Sequence, residues 1–279
     1  MAPRIAARAV AGALLLACSL VPPAAADEGF FTDDRPPAVA AVWPSVFAFV
    51  CEGRRDSYTA SAFYVGRQPD KRDASRADYF FVTAGHAITE CKKRRRYLVE
   101  NVEQPRFEAD GITVIPRPRR LAGAGPVAVD EIYDIAIVKV KAPTRLRIGK
   151  PIHVDDKCDR ALDHEVFAIG FPSVSKRRSL KLKRETKRWS KGLFVGLGIA
   201  DFRGSDAVYI ASNVDSLPGN SGGPAVDRRG RLVGVVAKGA SGTDNAFRYD
   251  VDPKKPRDWQ TFLVPCDAVL RLMQKSGLE

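Results

Sequence analysis

The sequence predicts an all-β protein, a barrel or sandwich of short strands with a helix at its C-terminus. Short runs rich in Val, Ile, Phe and Tyr recur along the chain, and clusters of Gly, Pro, Asp and Arg separate them. The clearest helical spacing is confined to the last segment. In chain order the strand-like runs are Val46–Val50, Ala60–Val65, Tyr79–Thr83, Ile135–Val140, Val166–Gly170, Leu193–Leu197, Val208–Ala211 and Leu232–Ala237. β-Branched and aromatic side chains suit a pleated, buried surface, and the turn residues between the runs punctuate it. Val269, Leu272 and Met273 then recur at helical spacing, with Asp267 as the expected N-cap. The stretch Pro143–Pro151 reads as a crossing between two halves.

The first residues predict export. Arg4 and Arg8 supply a positive start, Ala9 to Val21 is nearly all apolar, and Ala24-Ala25-Ala26 is a small-residue cleavage site ahead of Asp27-Glu28. Residues 1–26 are thus expected to leave as a signal peptide, giving a secreted or periplasmic protein. A second reading starts from Leu15-Leu16-Ala17-Cys18-Ser19, which loosely resembles a lipoprotein box and would anchor the chain by a lipid on Cys18; the leucine beside Ala17 fits that box poorly. No later segment has the uninterrupted apolar length of a spanning helix.

Lys and Arg number 45 against 33 Asp and Glu, a net charge of +12, which favours anionic partners or surfaces. The basic residues concentrate in Lys92–Arg96, Arg117–Arg120 and Lys176–Lys191, which read as solvated loops. The last is also the candidate exosite for acidic ligands. Nucleic acid is disfavoured, because these runs hold few aromatics for stacking and the chain is exported.

Beyond Cys18 the cysteines are Cys51, Cys91, Cys158 and Cys266. Four cysteines allow three pairings. Two fall in each half, which favours Cys51–Cys91 and Cys158–Cys266 if each half closes on itself. None has the short paired spacing of a zinc site, and no metal or cofactor is implied.

The stretch Asp215-Ser-Leu-Pro-Gly-Asn-Ser-Gly-Gly-Pro224 concentrates turn residues around Ser221. Such a run serves as a tight turn between strands. It also lets backbone N–H groups approach a reacting carbonyl unobstructed. Acyl transfer by a serine further needs a base and a carboxylate that orients it. His86 sits where the strand Phe81-Val-Thr-Ala runs into a small-residue turn, and Asp134 opens the strand Ile135–Val140.

Together, "TAGHA", "YDIAIVKV" and "PGNSGGP", in the order His, Asp, Ser, resemble the chymotrypsin-like (trypsin-type) serine peptidases. Asn220 before the serine gives the sequence a bacterial flavour, similar to the high-temperature-requirement proteases and the secreted glutamyl endopeptidases. The resemblance covers roughly residues 43–275. It implies Ser221 as nucleophile, His86 as general base and acid, Asp134 as orienting carboxylate, and the N–H groups of Gly219 and Ser221 as the oxyanion hole. Asp215, Lys238 and Gly239 match the specificity pocket. The implied fold is two six-stranded antiparallel β-barrels with the site between them: a first barrel over 43–145, preceded by an extension over 27–42, and a second barrel with the helix over 146–279. The implied substrate is a polypeptide. A competing reading is a cationic binding protein on the same fold, holding anionic polymers through its basic loops.

Overall fold

Continuous apolar runs, as opposed to alternating ones, mark strands buried on both faces. In a computed structural model of the chain, which describes residues 35–53, 57–91, 95–100, 106–107, 113–114, 119–155, 158, 164–172, 187–201, 206–239, 247–248 and 261–278, such strands form the centre of the molecule. The first half gives helix α1 (Pro37–Val42), β1 (Val46–Glu52), β2 (Ser57–Pro69), β3 (Arg76–Ala84), the short helix α2 (Gly85–Thr89) and β4 (Arg95–Val99). Then come β5 (Arg106–Phe107), β6 (Thr113–Val114), β7 (Arg120–Ala122), β8 (Gly125–Asp130) and β9 (Ile135–Pro143). The second half gives β10 (Glu165–Gly170), β11 (Arg188–Asp201), β12 (Asp206–Ser212), β13 (Pro224–Val226), β14 (Leu232–Gly239), β15 (Phe247–Arg248), β16 (Thr261–Pro265) and helix α3 (Cys266–Lys275).

β1 shows how the two faces are used. Phe47, Phe49 and Cys51 point into the core of the first sheet, where the Phe47 ring meets Phe81 edge-on at 5.2 Å. Val46, Ala48 and Val50 point the other way, into a core shared with Phe167, Ile169, Tyr209 and Phe262 of the second half. β10 repeats the pattern, with Val166 and Ala168 turned to a third core inside its own barrel. This shared apolar layer joins the two halves.

The all-β expectation holds, and the expectation of two closed barrels is corrected. In the second half β10 pairs with both β13 and β11, closing a six-stranded antiparallel ring in the order β10-β13-β14-β16-β12-β11, with β15 beside β11. The first half forms an open seven-stranded sheet in the order β7-β4-β1-β2-β3-β9-β8. Closure needs two edge strands able to pair. Here β7 offers three residues, and β8 leaves Pro126, Val127 and Val129 exposed.

Both favoured disulfides are present, Cys51–Cys91 and Cys158–Cys266, each with Cα atoms 5.8 Å apart. Helix α3 buries Val269, Leu272 and Met273, but Asp267 is not its N-cap. Pro265 takes that position. Asp267 lies in the first turn, where its carboxylate suits the helix dipole and pairs with Arg271 at 2.9 Å.

Two basic clusters are strands in part. Arg95 and Arg96 open β4 and Arg120 opens β7. The Arg96 guanidinium donates to the Cys91 carbonyl at 3.1 Å, and that of Arg120 lies 5.0 Å from the Tyr97 ring centre. Arg120 lies on the edge strand β7, where charge guards an open sheet against further pairing, whereas β4 is flanked by β1 and β7. Among the described residues no helix is long and apolar enough to cross a membrane. The expected signal peptide, with Cys18, lies outside the described residues.

Candidate active site

The histidine is delivered by β3 and the aspartate by the turn ahead of β9, which pairs with β3 up to Ala84 and Ile135. Register alone therefore brings the two together. The Asp130 carboxylate accepts the N–H groups of Ile132 and Tyr133 at 3.0 and 3.1 Å and curls the chain back. Asp134 then takes a left-handed backbone with φ of 54°, a conformation that aspartate tolerates through local hydrogen bonding. From there its carbonyl accepts Gly85 N–H at 2.7 Å and its Oδ1 accepts His86 N–H at 2.7 Å. Its Oδ2 lies 2.6 Å from His86 Nδ1. The aspartate side chain is 13% exposed and the imidazole 30%, so the carboxylate sits beneath a ring whose outer edge reaches the surface.

The serine turn belongs to the second half, and it is bonded to both halves. Ser61 of β2 is fully buried. Its N–H donates to the Ser221 carbonyl at 2.8 Å and its hydroxyl to the Gly219 carbonyl at 2.8 Å. Gly222 N–H donates to the Val236 carbonyl at 2.7 Å, and Gly223 N–H to the Asn220 carbonyl at 2.9 Å. Glycine is required at 222 on two counts. Its φ is +85°, and a Cβ there would lie 2.3 Å from the Ser61 carbonyl and 2.5 Å from Ala84 N. The residue after Ser221 thus rests on the strand end that carries His86, which brings the serine turn to the His86–Asp134 pair. Gly219, with φ of +99°, also uses a conformation that favours glycine.

Asn220 Oδ1 is buried with no hydrogen-bond donor among the described residues. A neutral amide oxygen bears this at moderate cost, whereas an unpaired carboxylate there would bury a charge. This gives the asparagine a physical reason. Asp215 is exposed, and its carbonyl accepts the Ser190 hydroxyl at 2.9 Å. Lys238 and Gly239 lie in β14, paired with Phe262 and Thr261.

The expected exosite loop is corrected where it is described. Lys187 is 5% exposed, its Nζ donating to the Trp43 carbonyl at 2.5 Å and lying over the rings of Trp43 and Phe171. Burial pulls this amine down to about 7. Residues 188–191 are strand β11, and Lys191 pairs with Glu165 at 2.5 Å. Arg228, with Lys191, holds the Glu165 carboxyl down at about 2. Lys181, Lys183 and Arg184 lie outside the described residues. Among the described residues no group of three or more His, Cys, Asp or Glu side chains could hold a metal ion.

The main residue missed in the sequence is Ser61. Nothing in Thr59-Ala-Ser-Ala-Phe63 distinguishes a strand serine that holds a turn 158 positions away. The bond from the Thr83 hydroxyl to the Ser61 carbonyl, made only after β2 and β3 align, carries no local signal either.

Comparison with known proteins places this arrangement. The trypsin-like peptidase domain matches residues 60–235, more than half of the chain. "Protease Do-like 1, chloroplastic" from Arabidopsis thaliana is 28% identical over 179 residues, 63% of this chain and 38% of that protein. "Serine protease HTRA1B" from Danio rerio is 34% identical over 108 residues, 38% of this chain and 21% of that protein. The chain therefore spans well under half the length of these relatives. Among solved structures, that of Deg5 aligns with a TM-score of 0.54 at 20% identity, covering 84% of this chain and 89% of that one. An HtrA-type protease solved with a tripeptide aligns with a TM-score of 0.54 at 18% identity, covering 85% of this chain and 62% of that one. With its His–Asp pair, its glycine-bounded serine turn and this family match, the chain belongs to the trypsin-like peptidase domain family, alongside relatives named as Do-like and HTRA1 proteases.

Proposed function

We propose that the chain is an exported serine endopeptidase that hydrolyses peptide bonds through Ser221, His86 and Asp134. The observation that carries the proposal is the doubly bonded His86–Asp134 pair, at 2.7 and 2.6 Å, with the serine turn docked on the strand that delivers the histidine.

In this reading the Asp134 carboxylate accepts Nδ1–H and leaves Nε2 as the basic nitrogen. Nε2 takes the Ser221 proton as Oγ attacks the substrate carbonyl. The N–H groups of Gly219 and Ser221 receive the oxyanion, each such donor typically stabilising the transition state by about 3 kcal/mol. His86 then gives its proton to the leaving amine, and water releases the acyl group by the same route in reverse. Asp134 stabilises the imidazolium without itself taking the proton. Asp215, Lys238 and Gly239 are assigned to substrate binding. The chain would act after removal of residues 1–26, in the periplasm or outside the cell, where both disulfides persist.

A fluorophosphonate probe tests the proposal, followed by profiling on a peptide library. Wild type should label at a single site and cleave peptides, and Ser221→Ala should do neither. Cleavage by pure Ser221→Ala at the wild-type rate would refute it. The cationic-binder alternative has its own signature in the same samples: retention of an anionic polymer that survives Ser221→Ala and falls steeply with salt.

A further inference from the structure

We infer that Ser61 is a positioning residue of the peptidase reaction, holding the two oxyanion donors in their working orientation from the opposite sheet. The inference rests on the proposed function above, which assigns the N–H groups of Gly219 and Ser221 to the oxyanion.

Four hydrogen bonds converge on Ser61. Its N–H donates to the Ser221 carbonyl and its hydroxyl to the Gly219 carbonyl, both at 2.8 Å. The hydroxyl oxygen accepts Phe171 N–H at 2.8 Å, and the Ser61 carbonyl accepts the Thr83 hydroxyl at 2.7 Å. The direction of the hydroxyl is fixed by its partners. An amide N–H can only donate, so Phe171 occupies a lone pair, and the single hydroxyl proton goes to the Gly219 carbonyl.

The consequence follows from peptide planarity. The Gly219 carbonyl belongs to the plane joining 219 to 220, and the Ser221 carbonyl to the plane joining 221 to 222. Ser61 pins both. Between them lies the plane that carries Ser221 N–H, itself held by the bond from Gly223 N–H to the Asn220 carbonyl. Ser221 N–H is thus bracketed on each side by a plane that Ser61 holds. Gly219 N–H lies one residue, and so two backbone rotations, from the first of them, at a φ of +99° that favours glycine. The Ser61 hydroxyl anchors the far side of that residue. Electrostatic stabilisation depends on donors already aimed where charge develops, so loosening this clamp weakens the transition state more than the bound substrate.

The test is Ser61→Ala, measured on a peptide substrate with kcat expressed per site labelled by fluorophosphonate at completion. We expect kcat to fall by about 10-fold or more with KM changed by less than about 2-fold. Affinity for a peptide boronate should fall in step with kcat, and affinity for a product peptide should not. The pH midpoint of kcat/KM should stay in place, because His86 and Asp134 are untouched. Equal losses in boronate and product affinity, or kcat within about 2-fold of wild type, overturn the inference. If Ser61→Ala does not accumulate as folded protein, Thr83→Val loosens the same clamp and must show the same split at smaller amplitude; unchanged kcat there overturns it equally. Wild type that neither labels nor cleaves removes the proposed function and this inference together, whereas active wild type with an equally active Ser61→Ala removes the inference alone.

Discussion

The two sides of the proposed active site are held in different ways. On the histidine side, β3 and β9 are neighbours in one sheet, and three hydrogen bonds tie residues 85 and 86 to Asp134. On the serine side the turn is hydrogen-bonded to Ser61 of the other sheet and to Val236 of its own barrel, with Gly222 packed close against Ala84 and Thr83. The histidine side is thus set largely within its own sheet, and the serine side depends on docking between the halves. Disturbing the shared layer should cost the serine side first.

Gly222→Ala breaks the contrast most sharply. A methyl group there meets the Ser61 carbonyl and Ala84 N at 2.3 and 2.5 Å, on a backbone at φ +85°. We expect a stability loss of at least about 2 kcal/mol and lost peptidase activity, read by thermal melting and a peptide assay. Melting and activity both near wild type would mean that the halves do not meet there.

Lys187 tests the shared layer through pH. Its amine titrates near 10.5 in the unfolded chain and near 7 when buried. Between those values the unfolded chain holds a proton that the folded one lacks, so stability should rise as pH increases from about 7, by up to about 1.4 kcal/mol per unit, and level off above about 10.5. Below about 7 both states are charged and this slope vanishes. In Lys187→Met the corresponding part of the slope should be missing from denaturant melts at pH 7 and 9. An identical slope in the two proteins would remove Lys187 as its source.

A smaller effect sharpens the other side. The Tyr209 hydroxyl donates to the Ile132 carbonyl at 3.1 Å, and its ring lies 5.9 Å from that of Tyr133, so β12 props the turn ahead of Asp134. Tyr209→Phe should cost about 1 kcal/mol and change kcat by only a few-fold, because the His86–Asp134 bonds are made within the first sheet. A loss as large as that of Gly222→Ala would show that both sides depend equally on docking.

The same contrast governs what the sequence discloses. His86 and Asp134 are legible because each opens or closes an apolar strand, and Ser221 because its turn needs glycines in a row. The strands with the longest apolar runs were legible too. β4 and β7 were not, because Arg95, Arg96 and Arg120 read as solvated loops, whereas they open two adjacent strands at one end of the open sheet. Lys187 was misread in the same way: charge predicts exposure until a carbonyl and two rings supply partners. Ser61 is the opposite case, an ordinary strand residue whose role depends on a partner 158 positions away. Open against closed sheets follow from how the strand edges meet, which no single run encodes.

If one hydrolytic unit is assembled from residues of both halves, kcat for His86→Ala, Ser221→Ala and the double variant on one peptide will reveal it. Each single change should lower kcat by about 10⁴-fold or more, and the double variant should be no slower than the slower single one, because a broken unit cannot be broken twice. Single losses that multiply in the double variant, or a Ser221→Ala protein that retains turnover, would show that Ser221 and His86 do not act as one unit.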